Sequence, residues 1–212
     1  MPNSFRFSYL CCAVALASLG FPGLDASQTI SSNRLPMWEE ARKPAAKGTH
    51  VRLPKDILVR LRSAAELIAP CDREESAKID AYRVTLNSRS PAVAIIAWGR
   101  GFCYCGATGN CQFWVFVNDH GKNRPVLETD MVRDFGFLKA KTNGYRDLAV
   151  WSHDSAMRSP ARLFQFNGKE YLEECGWQEE YEFQELPNGI SVQVGAPRII
   201  DNTCSLSPTR LR

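Results

Sequence analysis

The stretch that decides the fold is Gly101-Phe-Cys-Tyr-Cys-Gly-Ala-Thr-Gly-Asn-Cys111, which runs directly into Gln112-Phe-Trp-Val-Phe-Val117. Three cysteines lie within nine residues, glycines interrupt any helix, and the aromatic and β-branched residues that follow are typical of a strand. We therefore interpret residues 101–111, called the cysteine loop below, as a covalently closed loop that leads into a β-sheet.

The N-terminus predicts export. Arg6 precedes an apolar run over residues 7–19 and small residues follow, which is typical of a signal peptide over residues 1–26. Lipid attachment at Cys11 or Cys12 is the alternative, but the apolar run lies mostly after these cysteines. No second long apolar run exists, so we expect a secreted or periplasmic protein that does not insert in the membrane. Residues 27–50 are polar and contain proline, which predicts a flexible leader.

Without the signal peptide, six of the eight cysteines remain. An even number in an exported chain argues for disulfides, although sequence does not resolve the fifteen possible pairings. A zinc site would need a fourth ligand and no Cys-x-x-Cys pair is present, so we predict no metal, no cofactor and no redox role. The predicted disulfide cysteines are Cys71, Cys103, Cys105, Cys111, Cys175 and Cys204.

Position along the chain favours particular bridges. Cys105–Cys111 would close the cysteine loop, and Cys103 would pair elsewhere, with Cys71 as one option. Cys204 lies in a polar tail, where a cysteine is most simply an anchor, and Cys175 is the partner that we favour.

Charge and length bound the partners and the domain count. The formal net charge is only +3, which predicts no strong attraction to nucleic acid. Residues 51–212 are long enough for one well-buried, disulfide-stabilised domain. It begins with a predicted helix over residues 54–69, in which Ile57, Leu61 and Ala65 recur on one face before Pro70 ends the pattern.

From residue 80 the apolar period changes to two, as in strands. Residues 82–86, 92–98, 113–117 and 126–129 predict a four-stranded meander in a unit spanning 81–130. The same order recurs in residues 135–175, with predicted strands at 135–141, 148–151, 163–166 and 171–172. Trp98 and Trp151, 53 positions apart, close corresponding strands. We interpret the two units as an internal duplication.

The predicted fold class is therefore mainly β (α+β). We expect two duplicated four-stranded antiparallel meanders packed as a sandwich or barrel, with one N-terminal helix across one end and a C-terminal extension over residues 176–212.

One segment of the second unit is similar to a known family. Asn143-Gly-Tyr-Arg-Asp-Leu-Ala-Val150, followed by Arg162-Leu-Phe-Gln-Phe-Asn-Gly-Lys-Glu-Tyr171, resembles the FG-GAP/VCBS repeats of β-propellers over residues 135–172, with a degenerate copy at 81–130. The resemblance implies blade-like antiparallel sheets, and in the family an acidic loop often binds calcium. Lys141 stands at the start of that loop here, so we predict no calcium site. Two units also cannot close a propeller ring.

No segment carries a strong catalytic motif. Ser152-His-Asp-Ser155 contains the residue types of a hydrolase triad, but neighbours on one strand point to opposite faces, and no Gly-x-Ser-x-Gly elbow is present. We predict no catalytic residue and interpret Glu173-Glu174 and Glu179-Glu180 as solvated.

The functional prediction is an exported non-enzymatic module that binds a protein or glycan partner through the loops after Trp98 and Trp151. A hydrolase using His153 with a nearby carboxylate or serine is one alternative, and an envelope structural protein is another. The predicted ligand-binding residues are the aromatic residues Phe102, Tyr104 and Trp151, which we expect to be exposed, and His153.

Overall fold

The computed structural model describes residues 41–43, 47–68, 71–72, 74–87 and 93–204. The predicted signal peptide and leader residues 27–40 lie outside this part of the chain. One α-helix and twelve strands are present in the described ranges: β1 Thr49–His50, α1 Lys55–Ile68, β2 Ile79–Thr85, β3 Val93–Gly99, β4 Cys111–Asp119, β5 Lys122–Val132, β6 Asp134–Thr142, β7 Tyr145–Trp151, β8 Arg158–Phe166, β9 Tyr171–Glu180, β10 Phe183–Glu185, β11 Ser191–Gln193 and β12 Arg198–Asn202.

The strands form two five-stranded antiparallel sheets. The first has the order β1-β2-β3-β4-β5 and the second β12-β9-β8-β7-β6, while β10 and β11 form a separate hairpin. The predicted mainly β fold class and the two four-stranded meanders are confirmed. The sheets do not close into a barrel and form a sandwich instead, and β1 and β12 each add an edge strand. A common origin of the two meanders stays a prediction.

Both faces of the central strands are buried, which explains their unbroken apolar sequence. In β3, Ile96 and Trp98 face the core between the sheets, whereas Ile95 and Ala97 lie under the helix on the outer face. Because neighbouring residues of a strand point to opposite faces, a strand covered on both sides must be apolar throughout.

The helix agrees closely with its predicted bounds but packs on a different surface. Ile57, Leu61 and Ala65 are buried against Trp114 and Phe116 on the outer face of the first sheet. The helix therefore covers a sheet face and does not lie across one end of the sandwich.

All three favoured disulfides are present. Cys105 bonds Cys111 and closes the cysteine loop, and Cys103 bonds Cys71, which follows the helix. The third bridge joins Cys175 in β9 to Cys204, so it fastens the segment that follows β12 to the second sheet.

The described part of the predicted leader is integrated in the fold, which corrects the prediction of a flexible segment up to residue 50. Ala41 is fully buried on the outer face of the second sheet. A Cβ on Gly136 would lie only 1.6 Å from the Ala41 carbonyl oxygen, so the backbone can approach only because residue 136 is glycine. Thr49 and His50 pair with β2. Polar composition did not reveal these contacts, because a few buried residues suffice to hold a short segment.

Candidate functional site

The chain passes from the first sheet to the second through a single residue, Arg133, between β5 and β6. Both tryptophans that close corresponding strands hold this junction. The Trp98 indole Nε1–H donates to the Val132 carbonyl at 3.2 Å, and the Arg133 amide donates to the Trp151 carbonyl at 2.7 Å. The junction is thus a fixed corner.

The cysteine loop and the loop after Trp151 meet near this corner. Asn110, which is buried, accepts a hydrogen bond from the His153 amide at 2.6 Å and donates one to the His153 carbonyl at 2.7 Å. Cys111, the next residue, is fixed by its disulfide to Cys105. The two loops that sequence singled out are therefore linked by one side chain.

We expect the Asn110→Ala variant to make the loop after Trp151 more mobile while leaving both sheets intact. The substitution removes both hydrogen bonds to the His153 backbone. A buried backbone group that is left without a hydrogen bond costs about 1–3 kcal/mol. The measurement is amide hydrogen exchange, which should accelerate at least tenfold at His153. Thr108→Ala is the control, because it removes only the side-chain bond of Asn110 to Thr108. Equal acceleration of exchange in both variants would contradict the role of Asn110 in holding this loop.

The predicted ligand-binding residues differ in accessibility. Phe102 is exposed and His153 is half-buried. Tyr104 and Trp151 are buried, which corrects the prediction that they are exposed. Tyr104 packs edge-on against Trp114, its hydroxyl donates to the Ser76 carbonyl, and burial raises its pKa to about 12. It therefore has a packing role.

Within the described ranges, the His153 side chain has none of the partners that a catalytic triad needs. In the described residues its imidazole has no hydrogen bond to a carboxylate or a serine hydroxyl, and only its backbone is held. The neighbouring Ser152 hydroxyl donates to the Met131 carbonyl at 2.5 Å and so points to the corner.

Two concavities flank the corner. The smaller, of about 260 Å³, lies over the disulfides of the cysteine loop and includes Phe102, Tyr104 and Met131. The larger, of about 450 Å³ and called the corner pocket below, combines basic and aromatic side chains. Its lining residues are Arg42, Lys47, Tyr82, Trp98, Arg100, Arg133, Asp134, Trp151, Ser159 and Tyr181.

The tryptophans of the corner pocket are covered by guanidinium groups. Arg100 lies over the Trp98 ring with its Cζ 3.7 Å from the centroid, and Arg42 lies 4.9 Å from the centroid of Trp151. Such cation–π contacts hold the charge in place and hide the ring face. The pocket therefore offers a ligand positive charges and hydroxyl groups, not open ring faces.

A buried carboxylate supports one wall of the pocket. Glu179 accepts hydrogen bonds from the indoles of Trp151 and Trp177 at 2.9 and 3.2 Å, and from the Tyr181 hydroxyl at 2.9 Å. It also pairs with Arg42. Burial raises the pKa of Tyr181, so its hydroxyl keeps the proton that it donates. Glu179 is not solvated, contrary to the sequence interpretation, since four donors compensate its burial.

Three of the four cations in the pocket have acidic partners. Arg42 pairs with Glu179, Lys47 with Asp134, and Arg100 with Asp80. Arg133 is exposed and has no acidic partner among the described residues. Among the described residues, Arg133 is therefore the cation of the pocket that is left without a carboxylate.

Sequence reasoning found the two loops but missed the corner pocket. Arg42, Lys47, Arg100 and Arg133 are scattered over more than 90 positions, and each resembles an ordinary surface cation. The one available indication was the alternation of Trp177, Glu179 and Tyr181, which places Glu179 on the same face as two aromatic residues.

In the described residues, no three His, Cys, Asp or Glu side chains are grouped so that they could hold a metal ion. No helix there is both long and apolar enough to cross a membrane. Comparisons with models of protein families, curated proteins and solved structures found no match.

Proposed function

We propose that this protein is an exported, non-enzymatic binding module for a protein or glycan partner, and that the corner pocket receives an acidic group of that partner. The observation that carries the proposal is Arg133, an exposed cation without an acidic partner in the described ranges, which lines a concavity of about 450 Å³. Binding pockets of small ligands have such volumes and use a few well-placed polar groups.

The position of the pocket supports the same function. Its walls come from both sheets and from the segment around Arg42, and hydrogen bonds fix its corner. A preformed site loses little entropy on binding. Three disulfides suit an oxidising compartment, which supports export.

The test is binding of the purified protein to immobilised probes, namely acidic and neutral oligosaccharides and acidic and neutral peptides. We expect saturable retention on at least one acidic probe, at least tenfold weaker retention by Arg133→Ser, and no change in Arg198→Ser. Arg198 is the matched control because it is exposed on β12 and does not line the pocket.

Retention on no probe would overturn the proposal and favour a structural role. Cleavage of a retained probe, lost in His153→Ala, would instead favour the hydrolase.

A further inference from the structure

The charge of the corner pocket limits the ligand. Arg42, Lys47, Arg100 and Arg133 supply four positive charges, and the carboxylates paired with them, Glu179, Asp134 and Asp80, supply three negative ones. Among the described residues, one positive charge of the pocket therefore remains uncompensated. A ligand with one negative charge would neutralise the pocket, whereas a dianion would leave it with one excess negative charge beside three carboxylates.

The remaining lining groups suit hydroxyls. Asp134 lines the pocket, and its Oδ1 accepts from Lys47 and from the Phe135 amide, so Oδ2 has no donor among the described residues. Tyr82, Ser159 and Tyr181 line the same concavity. The Ser159 hydroxyl donates to the Ser152 carbonyl and the Tyr181 hydroxyl donates to Glu179, whereas the Tyr82 hydroxyl has no hydrogen bond among the described residues. A ligand that carries hydroxyl groups beside its charge would bind Arg133 through the charge and these polar side chains through its hydroxyl groups.

The shape of the site argues against a protein surface. A stable protein interface buries roughly 800 Å² on each partner, over a broad face. The corner pocket is concave, and its volume suits one or two sugar rings. Guanidinium groups cover Trp98 and Trp151, so the stacking surface that a neutral sugar needs is not open.

We propose that the corner pocket binds a saccharide carrying a single carboxylate, such as a uronic acid residue, with the carboxylate on Arg133 and ring hydroxyls on Asp134 and Tyr82. This inference rests on the proposed function and names its ligand class. Arginine suits the role because its planar fork matches the two carboxylate oxygens.

The test compares glucuronate, glucose and glucose 6-phosphate, which share one ring and differ in charge. Binding is followed by the NMR signals of the Trp98 and Trp151 indole N–H groups. We expect glucuronate to bind at least tenfold more tightly than glucose and no more weakly than glucose 6-phosphate, which is nearly dianionic at pH 7. Rising salt should weaken glucuronate binding and leave that of glucose unchanged.

Variants assign the effect to the pocket. Arg133→Ser should weaken glucuronate binding about tenfold without altering that of glucose, and Arg198→Ser should change neither. Asp134→Asn raises the pocket charge by one, so it should improve binding of glucose 6-phosphate more than that of glucuronate.

Equal affinity for glucose and glucuronate, or tenfold tighter binding of glucose 6-phosphate, would overturn the inference. If acidic peptides bind through Arg133 while no sugar does, the saccharide inference fails and the binding-module proposal stands. If neither class of probe binds, both fail.

Discussion

Replacing Phe135 by alanine is expected to lower the free energy of unfolding by about 3–5 kcal/mol, as is usual when a large aromatic residue leaves a packed core. Phe135 is fully buried at the start of β6. Its ring contacts Tyr82, Trp98 and Phe113 of the first sheet, with centroids 5.6, 5.5 and 4.8 Å away. Removing it would open a cavity between the sheets, next to the corner between β5 and β6.

Urea denaturation followed by tryptophan fluorescence measures this loss. Phe183→Ala is the matched control, because Phe183 is 39% exposed on the β10–β11 hairpin and should cost less than about 1 kcal/mol. Similar losses in the two variants would mean that Phe135 does not hold the sheets together.

The second large effect is expected for Glu179→Ala, with a loss of about 2–4 kcal/mol in unfolding free energy. The substitution leaves the indole N–H groups of Trp151 and Trp177 buried without their acceptor and removes the partner of Arg42. Because Arg42 is partly exposed, its charge can return to water, and we place the loss below that of a fully buried ion pair.

The neighbouring residue supplies the control. Glu180 pairs only with the exposed Arg158 and Arg198 among the described residues, so Glu180→Ala should cost less than about 1 kcal/mol. Thermal or urea unfolding of the two variants checks the difference. The Glu179 variant should also shift the indole signal of Trp151, and an unchanged signal would contradict the network.

The strands were predictable because their evidence is local. Alternation at Val84 and Leu86 and the unbroken apolar run that ends at Trp98 follow from which faces are buried. The Asn143-Gly144 turn joins β6 to β7 as its residue types predict, with both residues at positive φ.

The exposure of single aromatic residues was not predictable. Trp98 and Trp151 close corresponding strands, yet Trp98 faces the core between the sheets and Trp151 faces the outer side of the second sheet. Periodicity gives the alternation of faces, but it does not state what covers each face. Tyr104 likewise looked like a loop residue and is packed beneath the helix layer.

The sequence by itself determined the class of the fold, the strand order within each meander and the favoured disulfides, since these depend on patterns of neighbouring residues and on a short set of cysteines. Only the tertiary structure decided the corner pocket. Arg42, Arg100, Arg133 and Glu179 come together when one sheet turns into the next. Whether each charge is paired, buried or free depends on distances in space, which no spacing along the chain encodes.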